Sequence, residues 1–176
     1  MKNICCIVNP VSGLKKSLKV YYEAKNLFEK SDFNTSLFVS EYPNHIKDYV
    51  SKIEKNRFDR IIVFGGDGSI NEVVNGLNDS NNLQSFKLGV IPTGSGNSVA
   101  HDTGLLNVKD AISKSLGDNI IKMDLNQVDF DSFSRLSVSV LGWGMFSYGN
   151  IRAEKLRLLG PITVSYTHLR AHETTC

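Results

Sequence analysis

The chain has 176 residues, 41% of them hydrophobic and 22% charged, enough apolar content to bury a core and to fill one compact domain plus part of another. Twenty basic residues against eighteen acidic ones leave a formal charge of +2 with the lysines scattered, which excludes the basic stripe of a nucleic-acid binder. No apolar stretch reaches the length of a membrane span, and the opening MKNICCIVNP lacks a long apolar segment and a small-residue cleavage site, so the expected location is cytoplasmic.

In chain order, Asn3 to Val8 is an apolar run that reads as a strand, ended by a loop that Pro10 and Gly13 mark. Adjacent Cys5 and Cys6 point to opposite faces of that strand and read as small core residues rather than a disulfide, and nothing suggests a zinc site. Leu18, Tyr21, Ala24 and Phe28 then recur at helical spacing, followed by a strand over Thr35 to Val39 and by Ile46, Tyr49, Val50 and Ile53, helical again. Arg60 to Phe64 forms a third strand, Ile70, Val73, Val74 and Leu77 line a third helix, and Lys87 to Ile91 makes a fourth strand. The alternation predicts an α/β fold, a mostly parallel sheet with helices on both faces, over residues 1–118. It places the loops 9–13, 65–68 and 92–97 at strand carboxyl ends, where such sheets bind ligands. From 119 the character changes: Leu136, Val138 and Val140 alternate with Ser137 and Ser139, the period of a strand with one polar face. The ending VSYTHLRAHETTC shows neither period and resembles translated sequencing-adapter bases. Residues 164–176 are therefore expected to be a non-native tail, and His168 and His172 are given no chemistry.

Neither a Walker loop nor a G-x-G-x-x-G opening a helix after the first strand occurs. In their place, Gly65-Gly66-Asp67-Gly68-Ser69 precedes an amphipathic helix, so backbone amides and a helix amino terminus face the crevice as an anion cradle. Pro92 to Asn97, PTGSGN, makes a second cradle, with Thr93, Ser95 and Asn97 adding hydroxyl and amide contacts. A carboxylate gains nothing from touching a phosphate, so Asp67 reads either as holding magnesium or as accepting the proton of an attacking hydroxyl. A turn aspartate capping the helix from Ser69 is the plain alternative. Glu72 lies one turn further on, where a solvated residue favourable to the helix dipole is the alternative.

Together NPVSG at 9–13, GGDGSINEVVNGL at 65–77 and PTGSGN at 92–97 resemble the catalytic domain of the diacylglycerol kinase and sphingosine kinase superfamily of lipid kinases. The resemblance covers residue 3 to about 162. It implies a nucleotide-binding kinase domain that transfers phosphate from ATP, with Mg2+, to a lipid hydroxyl, at a membrane surface the protein meets peripherally. Carried over by position, Asn9, Pro10, Ser12 and Gly13 would lie along the nucleotide phosphates, and Ser40, Glu41 and Asn44 would match a further nucleotide-contacting segment. Gly65, Gly66, Gly68 and Ser69 would form the signature loop, with Asp67 as general base and Glu72 as an acidic partner. Thr93, Gly94, Ser95, Gly96 and Asn97 would complete the nucleotide site.

The stretch 140–160, with Trp143, Glu154, Lys155, Arg157, Leu159 and Gly160, is similar to the sphingosine and ceramide kinase branch, which makes Arg157 a phosphate contact. Acidic residues expected there for a cationic sphingoid headgroup are replaced by Tyr148 and Asn150. The family continues into a β-sandwich domain, of which 119–163 would be the truncated beginning, so the fragment alone is expected to be inactive. Two other readings stay open: a relative of NAD kinases, which share the G-G-D-G loop, and a nucleotide-binding module without turnover. Metal ligands and the acceptor lipid are not fixed by the sequence, and a homo-oligomer is left open.

Overall fold

The computed structural model describes residues 2–30 and 33–139. The chain gathers into one compact unit over Met1–Ser139 and a second over Val140–Cys176. The 140–160 stretch and the tail therefore lie outside the described residues.

The first unit is built on four parallel strands in the order β2-β1-β3-β4: β1 (Lys2–Val8), β2 (Phe33–Val39), β3 (Arg60–Gly65) and β4 (Lys87–Pro92). β1 and β3 are the central strands, and their unbroken apolar runs have both faces covered, as parallel strands require. β2, at one edge, alternates in exposure instead. Helices α1 (Ser17–Glu29), α2 (His45–Val50), α3 (Asp67–Asp79), α4 (Ser98–Asp102) and α5 (Val108–Leu116) connect and follow the strands. The predicted parallel α/β architecture is thus the one observed.

Two apolar clusters sandwich the sheet. On one face Cys5, Ile7, Ile61, Val63 and Val90 meet Ile46 and Val50 of α2, Ile70, Val73 and Leu77 of α3, and Val99 of α4. On the other, Ile4, Cys6, Val8, Ile62, Phe64 and Ile91 meet Tyr21, Ala24 and Phe28 of α1 and Ala111 and Ile112 of α5. The two cysteines therefore take opposite faces, as alternation demands. Burial pushes the Cys5 thiol up to about 11, partly offset by the Tyr49 hydroxyl, and the Cys6 thiol up to about 12. Neither serves as a thiolate nucleophile at neutral pH.

One boundary and two helices go beyond what the periodicity showed. α2 ends at Val50, so Ile53 reaches the core from the turn that follows. α4, at five residues, is too short to show a period, and α5 has its signal in Asn107, whose side chain accepts from the amides of Lys109 and Asp110. The region after 118 opens with an antiparallel hairpin, β5 (Asn126–Asp129) and β6 (Ser134–Ser137). Leu136 and Val138 of this segment are buried in the cluster beneath α3, so the hairpin lies within the same compact unit as the parallel sheet.

Candidate functional site

All four strands run the same way, so the loops after them emerge at one edge, and the order β2-β1-β3-β4 reverses the direction of chain progression between β1 and β3. A crevice outside the carboxyl ends at such a reversal is where open α/β sheets bind ligands. The loops after β1 and β3 flank it, with the loop after β4 alongside.

These loops are bonded to one another through the residues the sequence singled out. Asn9 accepts from the Val11 amide through Oδ1 (3.2 Å) and donates through Nδ2 to Ser69 Oγ (3.0 Å), tying the first loop to the second. Buried Ser12 donates to the Thr93 carbonyl (3.4 Å), and the hydroxyls of Ser17 and Thr93 lie 2.7 Å apart, tying the first loop to the third. The Thr93 amide donates to the Gly65 carbonyl (3.1 Å), and Pro10 is half-buried beside this frame. Within the third loop, Asn97 accepts from the Gly94 amide and donates to the Gly94 carbonyl, both at 2.8 Å.

The glycines divide into two kinds. A Cβ on Gly13, which has φ +53°, would come within 1.7 Å of the Thr93 carbonyl oxygen, and one on Gly94 within 2.4 Å of the Gly66 Cα. Those residues are glycine because the loops touch backbone to backbone. Around Gly68 a Cβ would meet nothing within 4 Å, and on Gly96 it would meet only Asp67 Oδ2 at 3.3 Å. With exposed Ser95, these two line the open side of the frame. The first amides of α3, those of Asp67 and Gly68, have no acceptor within their own helix.

Asp67 is the first residue of α3 and half-buried. Its Oδ2 accepts from the Ser98 amide and its Oδ1 from the Val99 amide, each at 3.0 Å. It does cap a helix, but α4 rather than its own, and so holds the third loop against the second. Glu72, half-buried one turn on, accepts the amides of Ile46 (3.1 Å) and Lys47 (3.4 Å) on Oε2, capping α2. It is thus engaged with backbone, not merely solvated. In the segment after β2, Ser40 is buried with its amide on the Val8 carbonyl (2.9 Å), and exposed Glu41 donates its amide to His45 Nδ1 (3.1 Å). Asn44 starts α2 in the left-handed region at φ +66°.

The structure therefore brings Asn9, Ser12, Gly13, Gly65, Gly66, Asp67, Gly68, Ser69 and 93–97 into one frame, while Glu41, Asn44 and Glu72 gather around the start of α2 and Ser40 bonds to the end of β1. Arg157, Tyr148 and Asn150 lie outside the described residues. Sequence reasoning missed Ser17, whose hydroxyl meets that of Thr93, 76 residues away. It also missed His45, whose ring stacks on Tyr42 at 4.2 Å between centroids. Among the described residues no group of three or more His, Cys, Asp or Glu could hold a metal ion. A magnesium ion suits such a site only if phosphates and water supply most of its ligands.

The diacylglycerol kinase catalytic domain model matches residues 3–128. Sphingosine kinase 2 of Arabidopsis thaliana is 29% identical over 182 residues, covering 96% of this chain and 37% of that protein. Ceramide kinase of Homo sapiens is 30% identical over 192 residues, covering 96% of this chain and 35% of its own length. A putative lipid kinase of Streptococcus pneumoniae is 28% identical over 84% of this chain and 46% of its own. The chain thus spans less than half the length of these relatives. Among solved structures, a putative diacylglycerol kinase from Bacillus anthracis str. Sterne superposes with a TM-score of 0.59 over 70% of this chain and 42% of that one, at 22% identity, a likeness of fold. The matched span runs from β1 through all the glycine loops, and the chain belongs to the diacylglycerol kinase catalytic domain family.

Proposed function

We propose that this chain carries the nucleotide-handling part of a kinase that moves the γ-phosphoryl group of ATP to the hydroxyl of a diacylglycerol, sphingoid-base or ceramide type lipid. The observation that supports it most is the half-buried Asp67 carboxylate, fixed by two amides beside the open glycines Gly68 and Gly96. The amides opening α3 and the open side of Gly68 receive phosphate oxygens, where the helix amino terminus favours negative charge. Asn9, Ser12 and Asn97 keep the loops in place.

The lipid hydroxyl oxygen attacks the γ-phosphorus, forming a new P–O bond as the bond to the β-phosphate oxygen breaks and ADP leaves. Asp67 takes the hydroxyl proton, its orientation already set by Ser98 and Val99. Magnesium, when bound, neutralises charge developing on the phosphate oxygens. Because the acceptor is a lipid, the reaction takes place at a membrane surface. Among the described residues no helix is long and apolar enough to cross one.

The test measures labelled phosphate passing from ATP to diacylglycerol, sphingosine, ceramide or monoacylglycerol, using the full polypeptide in which this chain occurs, beside an Asp67→Asn control. Transfer to one lipid that vanishes in the control supports the reading. ATP bound without transfer to any lipid overturns it and leaves a nucleotide-binding module.

A further inference from the structure

Asn75 is a polar residue on the buried side of α3, 6% exposed, that the nucleotide site does not use. Its side chain reaches a segment 61 residues away: Oδ1 accepts from the Leu136 amide at 3.0 Å, and Nδ2 donates to the Leu136 carbonyl at 2.8 Å. Nδ2 also donates to the Asn71 carbonyl one turn back, at 2.8 Å, which fixes the amide plane. A carboxamide has the donor and acceptor of a peptide group, so Asn75 acts toward β6 as a neighbouring strand would.

Leu136 faces Gln127 across the hairpin. Alternate residues of an antiparallel pair turn both backbone groups away from the partner strand, and Asn75 takes both groups of Leu136. Sliding β6 by one residue would present Arg135 or Ser137 instead, whose groups point toward β5, and would carry the Leu136 side chain out of the core. Side-chain packing and the amide pair thus select the same register. The chain passes Ser139 three residues after Leu136 and continues into the second unit.

We propose that Asn75 is a positioning residue: it locks β6 to the helix that begins at Asp67 and so sets where the chain leaves toward residue 140. As a statement about catalysis this rests on the lipid kinase reading and on the headgroup role that the resemblance implies for 140–160. As a statement about register it does not.

The experiment compares the full polypeptide with its Asn75→Leu variant, and with Asn75→Ala should the leucine variant fail to fold. Deuterium uptake is expected to rise over 126–139 while β1 and β3 keep their protection, and KM for the lipid to rise about tenfold with KM for ATP within about twofold. Unchanged uptake over 126–139 overturns the lock, and so does an equal rise of both KM values, which a general loss of structure would give. If the wild type phosphorylates no lipid, the kinase reading falls and the uptake alone decides the lock.

Discussion

Asp67 and Glu72 stand on the first turns of one helix and both give their carboxylates to amides that open another, α4 for Asp67 and α2 for Glu72. Their use of oxygen differs. Asp67 takes one amide on each oxygen at 3.0 Å, whereas Glu72 takes both on Oε2, at 3.1 and 3.4 Å. Their surroundings differ as well: Asp67 adjoins the open glycines, while Glu72 lines a cavity of about 30 Å³ with Asn44, Lys47, Asn71, Asn75 and Arg135. Capping a neighbouring helix therefore does not mark a catalytic carboxylate, and does not exclude one. What sets Asp67 apart is its place beside glycines that leave open space around them.

The largest effect that would sharpen this contrast is expected from Asp67→Asn. The amide keeps one acceptor but turns an NH2 toward an amide hydrogen, and it cannot take a proton, so kcat should fall about a thousandfold. Loss of one bond to α4 should cost about 1–2 kcal/mol of stability. ATP affinity, measured by titration, should change little. A fall in affinity matching the fall in kcat would make Asp67 part of the frame only.

Next in size is the contrast between glycines. Gly94→Ala would force a methyl to within 2.4 Å of the Gly66 Cα and 2.8 Å of Asn97 Oδ1. Backbone cannot yield cheaply there, so denaturant unfolding should show a loss of about 3 kcal/mol, with ATP binding lost as the loops part. Gly68→Ala meets nothing within 4 Å and lies inside α3. It should leave stability unchanged or raise it by up to about 1 kcal/mol, while weakening ATP binding. Equal stability losses in the two variants would mean that the glycines do not divide into contact and access positions.

These pairings show where the sequence was readable and where it was not. The strands and the larger helices were legible because Ile61 to Phe64 or Ile70, Val73, Val74 and Leu77 carry periods that burial imposes. The gathering of the glycine loops at one edge followed from the alternation of strands and helices alone. What each loop residue holds was not legible, since the partners of Asp67, Glu72 and Asn75 lie 31, 26 and 61 residues away and nothing local encodes them. The glycines misled in one respect. Their number suggested a chain cleared for phosphate, yet Gly13 is cleared for the loop at 92–97 and Gly94 for the loop at 65–68.

Smaller again is Glu72→Ala, which leaves the amides of Ile46 and Lys47 without their acceptor. α2 has six residues and its Asn44 makes no side-chain cap of its own. The loss should be about 1 kcal/mol, as for other capping residues. Faster amide exchange over 45–50 is the local signature. Protection there equal to wild type would mean that packing of Ile46 and Val50, not Glu72, holds the helix.

Glu72→Gln should have the smallest effect, and it tests the comparison hardest because it makes the same chemical change as Asp67→Asn. Both amides at α2 fall on a single oxygen, which glutamine keeps, so the NH2 replaces an oxygen the cap does not use. Stability should stay within about 0.5 kcal/mol of wild type, the charge at the helix start accounting for the difference. Phosphate transfer should remain close to wild type. A loss of transfer approaching that of Asp67→Asn, with stability intact, would show that the negative charge at Glu72 acts on the reacting groups. The two carboxylates would then share one task, and access from the open glycines would no longer be what tells them apart.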